Sequence, residues 1–350
     1  MSQYRMPAEW EPHEATWLAW PHEKSDWPGK FAPVPWVYGE MVRYLSRHEK
    51  VRILIADEKA ERAARTVLLK SGAIMDAVEF FRFPTDRSWT RDFCPIFVHT
   101  AEGKPALTHW RFNGWAKYPN HTLDAAIPAL LRRKLRLPYL KPIDGKRHVV
   151  LEGGSIDVNG RGTLLTTEEC LLSPIQARNP GLTRERIEQL LEEYLGTRQV
   201  LWLKDGIEGD DTHGHVDDLA RFINPTTVVI ASEANPAERN HAILAENHRL
   251  LRSFRDQDGC KLEVVKLPMP QPVVFDGQRL PASYANFYIA NRQVLVPVFN
   301  DPSDRIALNT LARLFPGRDI VPIYCGDLVL GLGTLHCATQ QQPAPVMETT

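Results

Sequence analysis

Cysteine is scarce in this chain of 350 residues, and the five present, Cys94, Cys170, Cys260, Cys325 and Cys337, form no CxxC pair. That scarcity excludes a disulfide framework and a zinc finger, and the cysteines read as reduced thiols of a cytoplasmic protein. No run approaches the roughly 18 consecutive apolar residues of a membrane helix. The opening MSQYRMPAEWEPHEATWLAWP lacks the basic start and apolar core of a secretory signal. Net charge is nearly absent too, with 42 Lys+Arg against 43 Asp+Glu. That balance removes any bulk electrostatic reason to bind nucleic acid or an anionic membrane, so attraction for a cationic ligand must come from local carboxylates. No Ser/Gly linker or low-complexity segment interrupts the chain. A single domain over 1–350 is therefore expected, although a prior of about 150 residues per domain would suggest two.

What is present is apolar and rich in proline. Hydrophobic residues make up 43% of the chain, enough for a large core, and 27 prolines fall mostly between apolar runs, as in a loop-rich fold of short strands. Apolar residues recurring every three to four positions predict helices over 34–49, 59–72, 183–196, 237–254 and 304–317, with Gly72 and Gly196 as C-caps. Between them recurs a unit of polar cluster, apolar strand, turn, second strand and Pro-containing loop. It spans 153–174 with its turn at Asn159-Gly160, 215–236 at Asn224-Pro225, 283–302 at Asn291-Arg292 and, more loosely, 91–112 around Gly103. The polar starts fall at Asp92, Glu152, His215, Asn286 and Cys337, spaced 60, 63, 71 and 51 residues apart. A period of that size signals repeated supersecondary units. The expectation is an α/β fold of about five ββαβ-like modules around one centre, opened by residues 15–21, with the strand starts converging.

If they converge, Asp92, Glu152, His215, Asp217 and Cys337 meet. On a strand His215 and Asp217 would face the same side, and Arg91 and Asp92 opposite sides. A cysteine attacks as its thiolate, and carboxylates alone would raise the thiol above its usual value of about 8.5. That conflict disappears if the substrate is itself a cation. A guanidinium fits, being planar, permanently charged and able to offer paired N–H donors to carboxylates, with His215 moving protons. Blander readings exist for each residue. Cys337 could be an inert core thiol, Asp92 a partner of Arg91, Glu152 a turn cap and Trp89 a packing residue. His336 should face away from Cys337 and be structural. The glycines of LEGGS (151–155) precede no Lys or helix start, so nucleotide binding is rejected. One rival of another class is a metal site on His213, His215 and Asp217. An amidinotransferase and a non-catalytic guanidine binder are the others.

WTRDFCP (89–95), LEGGSIDV (151–158), GHVDD (214–218), YANFYIAN (284–291) and GLGTLHCATQQQP (331–343), taken in this order, resemble the agmatine deiminases. These stand with the bacterial-type peptidylarginine deiminases among the guanidine-group-modifying enzymes, and the resemblance covers nearly the whole chain. It implies a five-bladed α/β propeller, the pentein fold, and hydrolysis of agmatine to N-carbamoylputrescine and ammonia, a step toward putrescine. It implies Cys337 as covalent nucleophile, His215 as general acid/base, and Asp92 and Asp217 as binders of the guanidinium nitrogens. Glu152 would contact substrate or orient His215, and Trp89 would wall the pocket. No metal or organic cofactor is implied, and the partner is a small cationic guanidine, in place of nucleic acid or membrane. A homodimer is the default assembly. The chain departs from the family pattern where Phe93-Cys94 replaces Thr-Gly, where Asp211-Thr212-His213-Gly214-His215 replaces Glu-Thr-Asn-Gly-His, and where Leu332 and Thr334 interrupt Gly-Gly-Gly-Asn. These changes are expected to alter loops at the mouth, where the substrate's tail would sit. Free or peptidyl arginine therefore stands as an alternative substrate.

Overall fold

The turn at Asn159-Gly160 shows how one unit is built. Gly160 is left-handed at φ +70, and Asn159 Oδ1 accepts from the backbone N–H groups of Arg161 and Thr163, which reverses the chain. Strand Asp157–Val158 therefore runs antiparallel to Thr163–Thr167. The chain then crosses through helix Arg184–Leu195 and returns as Gln199–Leu203, parallel to Thr163–Thr167 with Thr163 opposite Gln199. An antiparallel hairpin followed by a parallel strand, with a helix between, is the repeated element.

The same order recurs four more times in the computed structural model, which describes residues 3–346. One sheet holds Ile96–Thr100, Pro105–Thr108 and Tyr139–Leu140; a second holds Ala220–Phe222, Thr227–Ser232 and Glu263–Pro268; a third holds Tyr288–Ala290, Gln293–Val298 and Asp319–Tyr324. The fifth joins the chain ends. Gln340–Pro343 lies antiparallel to His13–Ala19, which is parallel to Lys50–Leu54. Strand Val78–Phe81 extends this last sheet, and Tyr4–Arg5 extends the one at Ile96–Thr100. The fold is thus mixed α/β, with five small sheets of like order and two two-stranded ribbons, and no sheet among the described residues closes on itself. Residues 1, 2 and 347–350 of the expected single domain lie outside the described residues.

All five expected helices are present, and the two expected glycine caps close theirs. Asp57 and Thr183 cap Glu58–Ser71 and Arg184–Leu195 through Ala60 N and Arg186 N, and Gly72 and Gly196 close them in the left-handed conformation. Asp301 and Asp304 form a capping box on Pro302–Leu314. Val34–Leu45 and Arg239–Ser253 complete the set. Helix Thr122–Leu135 was not foreseen, because Pro128 inside it reads as a helix breaker. The other differences fall at the polar starts. Asp92 sits in a short helix, Thr90–Phe93, and Asp217 in a 3-10 turn, Val216–Asp218, so neither lies on a strand. No helix among the described residues is long and apolar enough to cross a membrane.

The closing sheet depends on polar side chains from both chain ends. Gln342 Oε1 accepts from buried Trp17 Nε1 at 3.0 Å and from Arg52 Nη1 at 2.6 Å. Gln342→Leu is expected to cost about 1–3 kcal/mol by stranding those donors. Urea unfolding measures this, and an unchanged midpoint would mean the bridge contributes nothing.

Candidate active site

The buried walls of one cleft, about 350 Å³ in volume, include Trp89, Asp92, Trp115 and Cys337, while partly exposed Tyr118, Asp211, Phe275 and Leu332 stand nearer solvent. Of the five polar starts, Asp92 and Cys337 line this cleft, and Glu152, His215 and Asn286 stand close to them. They do so on helical turns and loop ends, whose backbone groups are free to be held by other modules.

Asp92 is fixed by its helical turn. Thr90 Oγ1 donates to Ala338 O at 2.8 Å, and Arg91 N donates to Cys337 O at 3.1 Å, which ties the turn to the nucleophile's segment. The Asp92 carboxylate accepts from Gly154 N at 3.0 Å and from Trp115 Nε1 at 2.8 Å. Arg91 leaves in another direction, to Glu9 and Gln341, so the Arg91–Asp92 pair does not form. Burial, then the nearby Asp217 and Glu152, raise Asp92 to about 6, against the pull of His215.

The double glycine is an approach site. A Cβ on Gly154 would lie 2.6 Å from His215 Nδ1 and 2.9 Å from Asp92 Oδ1. His215 is held by its backbone N–H on Asp210 at 2.9 Å, and its ring lies between carboxylates. Nδ1 is 3.8 Å from Asp92 and 4.0 Å from Asp217, and Nε2 is 3.9 Å from Glu152. Burial alone would lower this histidine, but Asp92, Cys170 and Glu152 outweigh it and hold the ring well above its ordinary value. Glu152 is fully buried behind His215 and accepts from Arg178 Nε at 3.0 Å. Burial would raise it, yet Arg178 and then His215 bring it down to about 2. Glu152 does not line the cleft, and its Oε2 and His215 Nε2, 3.9 Å apart, have no hydrogen-bond partner among the described residues.

Cys337 lies in a turn ahead of strand Gln340–Pro343, with Sγ 3.7 Å from Asp217 Oδ2. Asn286 Nδ2 donates to Sγ at 3.1 Å and to Asp218 Oδ1 at 2.9 Å. Burial, then Asp217, Asp218 and Asp92, push the thiol well above its ordinary value. Asp217 is held low, because His336, then His215 and Arg221, outweigh its burial. Its Oδ2 accepts from His336 Nδ1 at 2.7 Å, and its Oδ1 has no hydrogen-bond partner among the described residues. Trp89 packs on Trp27 with ring centres 5.6 Å apart, and it walls the cleft as expected. Gly331 and Gly333 are needed for that wall, since a Cβ on either would come within 2.9 Å of a tryptophan ring.

Several expectations need correction. His336 does not face away; it stands directly behind Asp217. Thr334 is buried 1% exposed and donates to Asn286 Oδ1 at 2.6 Å, so it supports the amide beside the thiol and stays out of the mouth; Leu332, left-handed at φ +67, does line the cleft. His213 turns to Ser173 at 3.1 Å and Glu169 at 3.4 Å, so the metal set of His213, His215 and Asp217 is not assembled. Two other triads have donor atoms close enough to share an ion, Glu152–Cys170–His215 and Asp217–Asp218–Cys337. In the first, Arg178 holds Glu152 Oε1 while Glu152 Oε2 and His215 Nε2 have no partner among the described residues; in the second, Asn286 bridges Asp218 and Cys337. Sequence reasoning missed Trp115, Asp218, Arg178 and Glu9. Asp218 could have been found from the double acid of GHVDD, whereas the others carry no local signal.

Comparison with known proteins agrees over the chain's length. The Porphyromonas-type peptidyl-arginine deiminase family matches residues 5–343. A curated protein of Latilactobacillus sakei subsp. sakei, provisionally named an agmatine deiminase, is 35% identical over 365 residues, covering 97% of this chain and 96% of the relative. The solved agmatine deiminase of Enterococcus faecalis superimposes with a TM-score of 0.91 at 32% identity, covering 98% of this chain and 97% of that one. A cysteine-to-serine variant of the C. jejuni agmatine deiminase, solved with substrate bound, gives 0.87 at 30%, with coverage of 98% and 97%. An amidinotransferase of Microseira wollei, 12% identical with a TM-score of 0.51 and 99% of each chain covered, shares the fold alone.

With its thiol raised by burial and by three carboxylates, Cys337 is expected to react with iodoacetamide more slowly than exposed Cys260 up to pH 9. Peptide mapping by mass spectrometry measures both rates. Faster labelling of Cys337 at pH 7 would contradict the electrostatic picture.

Proposed function

Because the chain belongs to the Porphyromonas-type peptidyl-arginine deiminase family, we propose that it is an agmatine deiminase-type hydrolase, converting agmatine and water to N-carbamoylputrescine and ammonia. The observation that carries this reading is a buried thiol surrounded by buried carboxylates, with Asp217 Oδ1 left unpartnered. These carboxylates outnumber the cations beside them, and a bound guanidinium would supply another.

In this reading Asp92 and Asp217 bind the guanidinium nitrogens and hold its central carbon near Cys337 Sγ. The substrate's charge offsets the carboxylates that raise the thiol, so the thiolate forms when substrate is present. Sulfur attacks the central carbon to give a tetrahedral adduct. His215 protonates one nitrogen, the C–N bond breaks, and ammonia leaves an amidino-thioether on Cys337. Water then attacks the same carbon and gives a proton to His215; the C–S bond breaks, releasing the ureido product and restoring the thiol. Glu152, held by Arg178, orients His215. Asp26, Asp92, Asp211 and Asp276 line the cleft against one lining cation among the described residues, Arg87. That balance suits the amine tail of agmatine better than the carboxylate of free arginine.

The same reading takes the fold as one catalytic domain, a five-bladed propeller in which five ββαβ modules surround the cleft. The like order of the five sheets supports it, as does the gathering of Asp92, Glu152, His215, Asn286 and Cys337 from successive modules.

Cys337→Ala is expected to abolish ammonia release from agmatine while leaving fold and substrate binding intact; more than a few per cent of residual turnover would remove the covalent step. Asp92→Asn and Asp217→Asn should each lower kcat/KM by about two to three orders of magnitude, since a buried cation loses a charged partner. Wild-type kcat/KM should fall as the pH drops through about 6, where Asp92 becomes protonated and neutral and no longer pairs with a cation. A profile flat down to pH 4.5 would count against Asp92 as a binding carboxylate.

A further inference from the structure

Behind Asp217, on the side away from the cleft, lies a buried chain of charged groups that the reaction itself does not use. His336, 1% exposed, places Nδ1 2.7 Å from Asp217 Oδ2 and Nε2 2.8 Å from Glu9 Oε2. Glu9 comes from the N-terminal segment, 327 residues away, and is itself anchored on every side. Its Oε1 accepts from Arg221 Nη2 at 2.8 Å and from Ile289 N at 2.8 Å, and its Oε2 accepts from Arg91 Nη2 at 3.2 Å. Ionised carboxylates only accept hydrogen bonds, so a ring held between two of them must donate from both nitrogens and carry a positive charge. A buried charge left without its partner is costly, which makes this arrangement rigid.

We propose that Glu9 and His336 are positioning residues for Asp217: together they hold its Oδ2 and so present Oδ1 to the substrate guanidinium. The consequence is geometric as well as electrostatic. Oδ2 is occupied by a fixed donor and Oδ1 has none, so the carboxylate plane is set before substrate enters. His336 also keeps Asp217 ionised where the other facing groups do not favour it. Those groups are Asp92, Asp218 and the Cys337 thiol on the cleft side, with His215 and, more distantly, Arg221 as the remaining cations. The N-terminal segment thereby takes part in the site through a contact and not merely as a strand partner.

The inference rests on the proposed deiminase reaction, and its test is arranged to separate the two. Wild type, Glu9→Gln and His336→Gln are assayed for ammonia release from agmatine between pH 5 and 9, with thermal melting to confirm folding. Each folded variant is expected to lose tenfold or more in kcat/KM at pH 8. Its acid limb should move above the wild-type position near 6, because Asp217, with His336 removed or released by Glu9, takes up a proton before Asp92 does. The double variant should lose little more than the more impaired single variant, since both act through one carboxylate. An acid limb left at the wild-type position in a folded single variant overturns the proposal, because loss of packing alone would not move a titration. If His336→Gln does not fold, Glu9→Gln decides alone, as it keeps the volume and one acceptor oxygen. A wild-type chain that releases ammonia from no guanidine would overturn the deiminase reading as well.

Discussion

Burial of several carboxylates around one thiol is the constraint on which this structure turns. Asp92, Glu152, Asp217 and Asp218 are all 5% exposed or less, and Cys337 is 7% exposed. Like charges confined in a medium of low dielectric repel, and burial penalises each of them. The chain manages this unevenly. Glu152 is neutralised by Arg178 and Asp217 by His336, whereas Asp92 and Asp218 are left raised, with backbone, indole and amide donors but no dedicated cation. Two of the four buried acids thus face a basic side chain at hydrogen-bond distance, and two do not.

That division explains where the buried cations lie. Arg91, Arg178 and Arg221 all point away from the cleft and into the wall behind it. Each serves a buried carboxylate: Arg178 holds Glu152, and Arg91 and Arg221 hold Glu9, which in turn meets His336. Removal of one such arginine would strand a buried acid, so the wall is as demanding of sequence as the site itself. The meeting of the chain ends has the same origin. Glu9 and the 336–342 segment share polar partners, and the pairing of Gln340–Pro343 with His13–Ala19 brings them together.

Much of the architecture was legible locally. The hairpin turns at Asn159-Gly160, Asn224-Pro225 and Asn291-Arg292, the caps at Gly72 and Gly196, and the spacing of the polar starts are all set by residues a few positions apart, and all were found. Asp92, Asp217 and Cys337 were selected for the right neighbourhood by a wrong local argument. Strand alternation was invoked for Asp92 and Asp217, yet Asp92 sits on a helical turn and Asp217 on a 3-10 turn, and Cys337, expected at a strand start, lies on a turn. The conclusion survived because a helical turn also separates Arg91 from Asp92. Helix Thr122–Leu135 was missed for a local reason as well, since its proline obscured the periodicity while the surrounding packing tolerates it.

By itself the sequence determined the repeating units, their turns and caps, and the order in which a carboxylate, a histidine and a cysteine appear. It could do so because turn and capping chemistry acts over a few residues, and periodicity reports which face of an element is buried. Only the tertiary structure decided which groups stand behind them. His336 beside Asp217, Glu9 beside His336, Asn286 on the Cys337 sulfur and Arg178 on Glu152 are contacts between residues 26 to 327 positions apart. No local pattern records such pairings, because they are fixed by how separate modules dock and by the need of each buried charge for a partner.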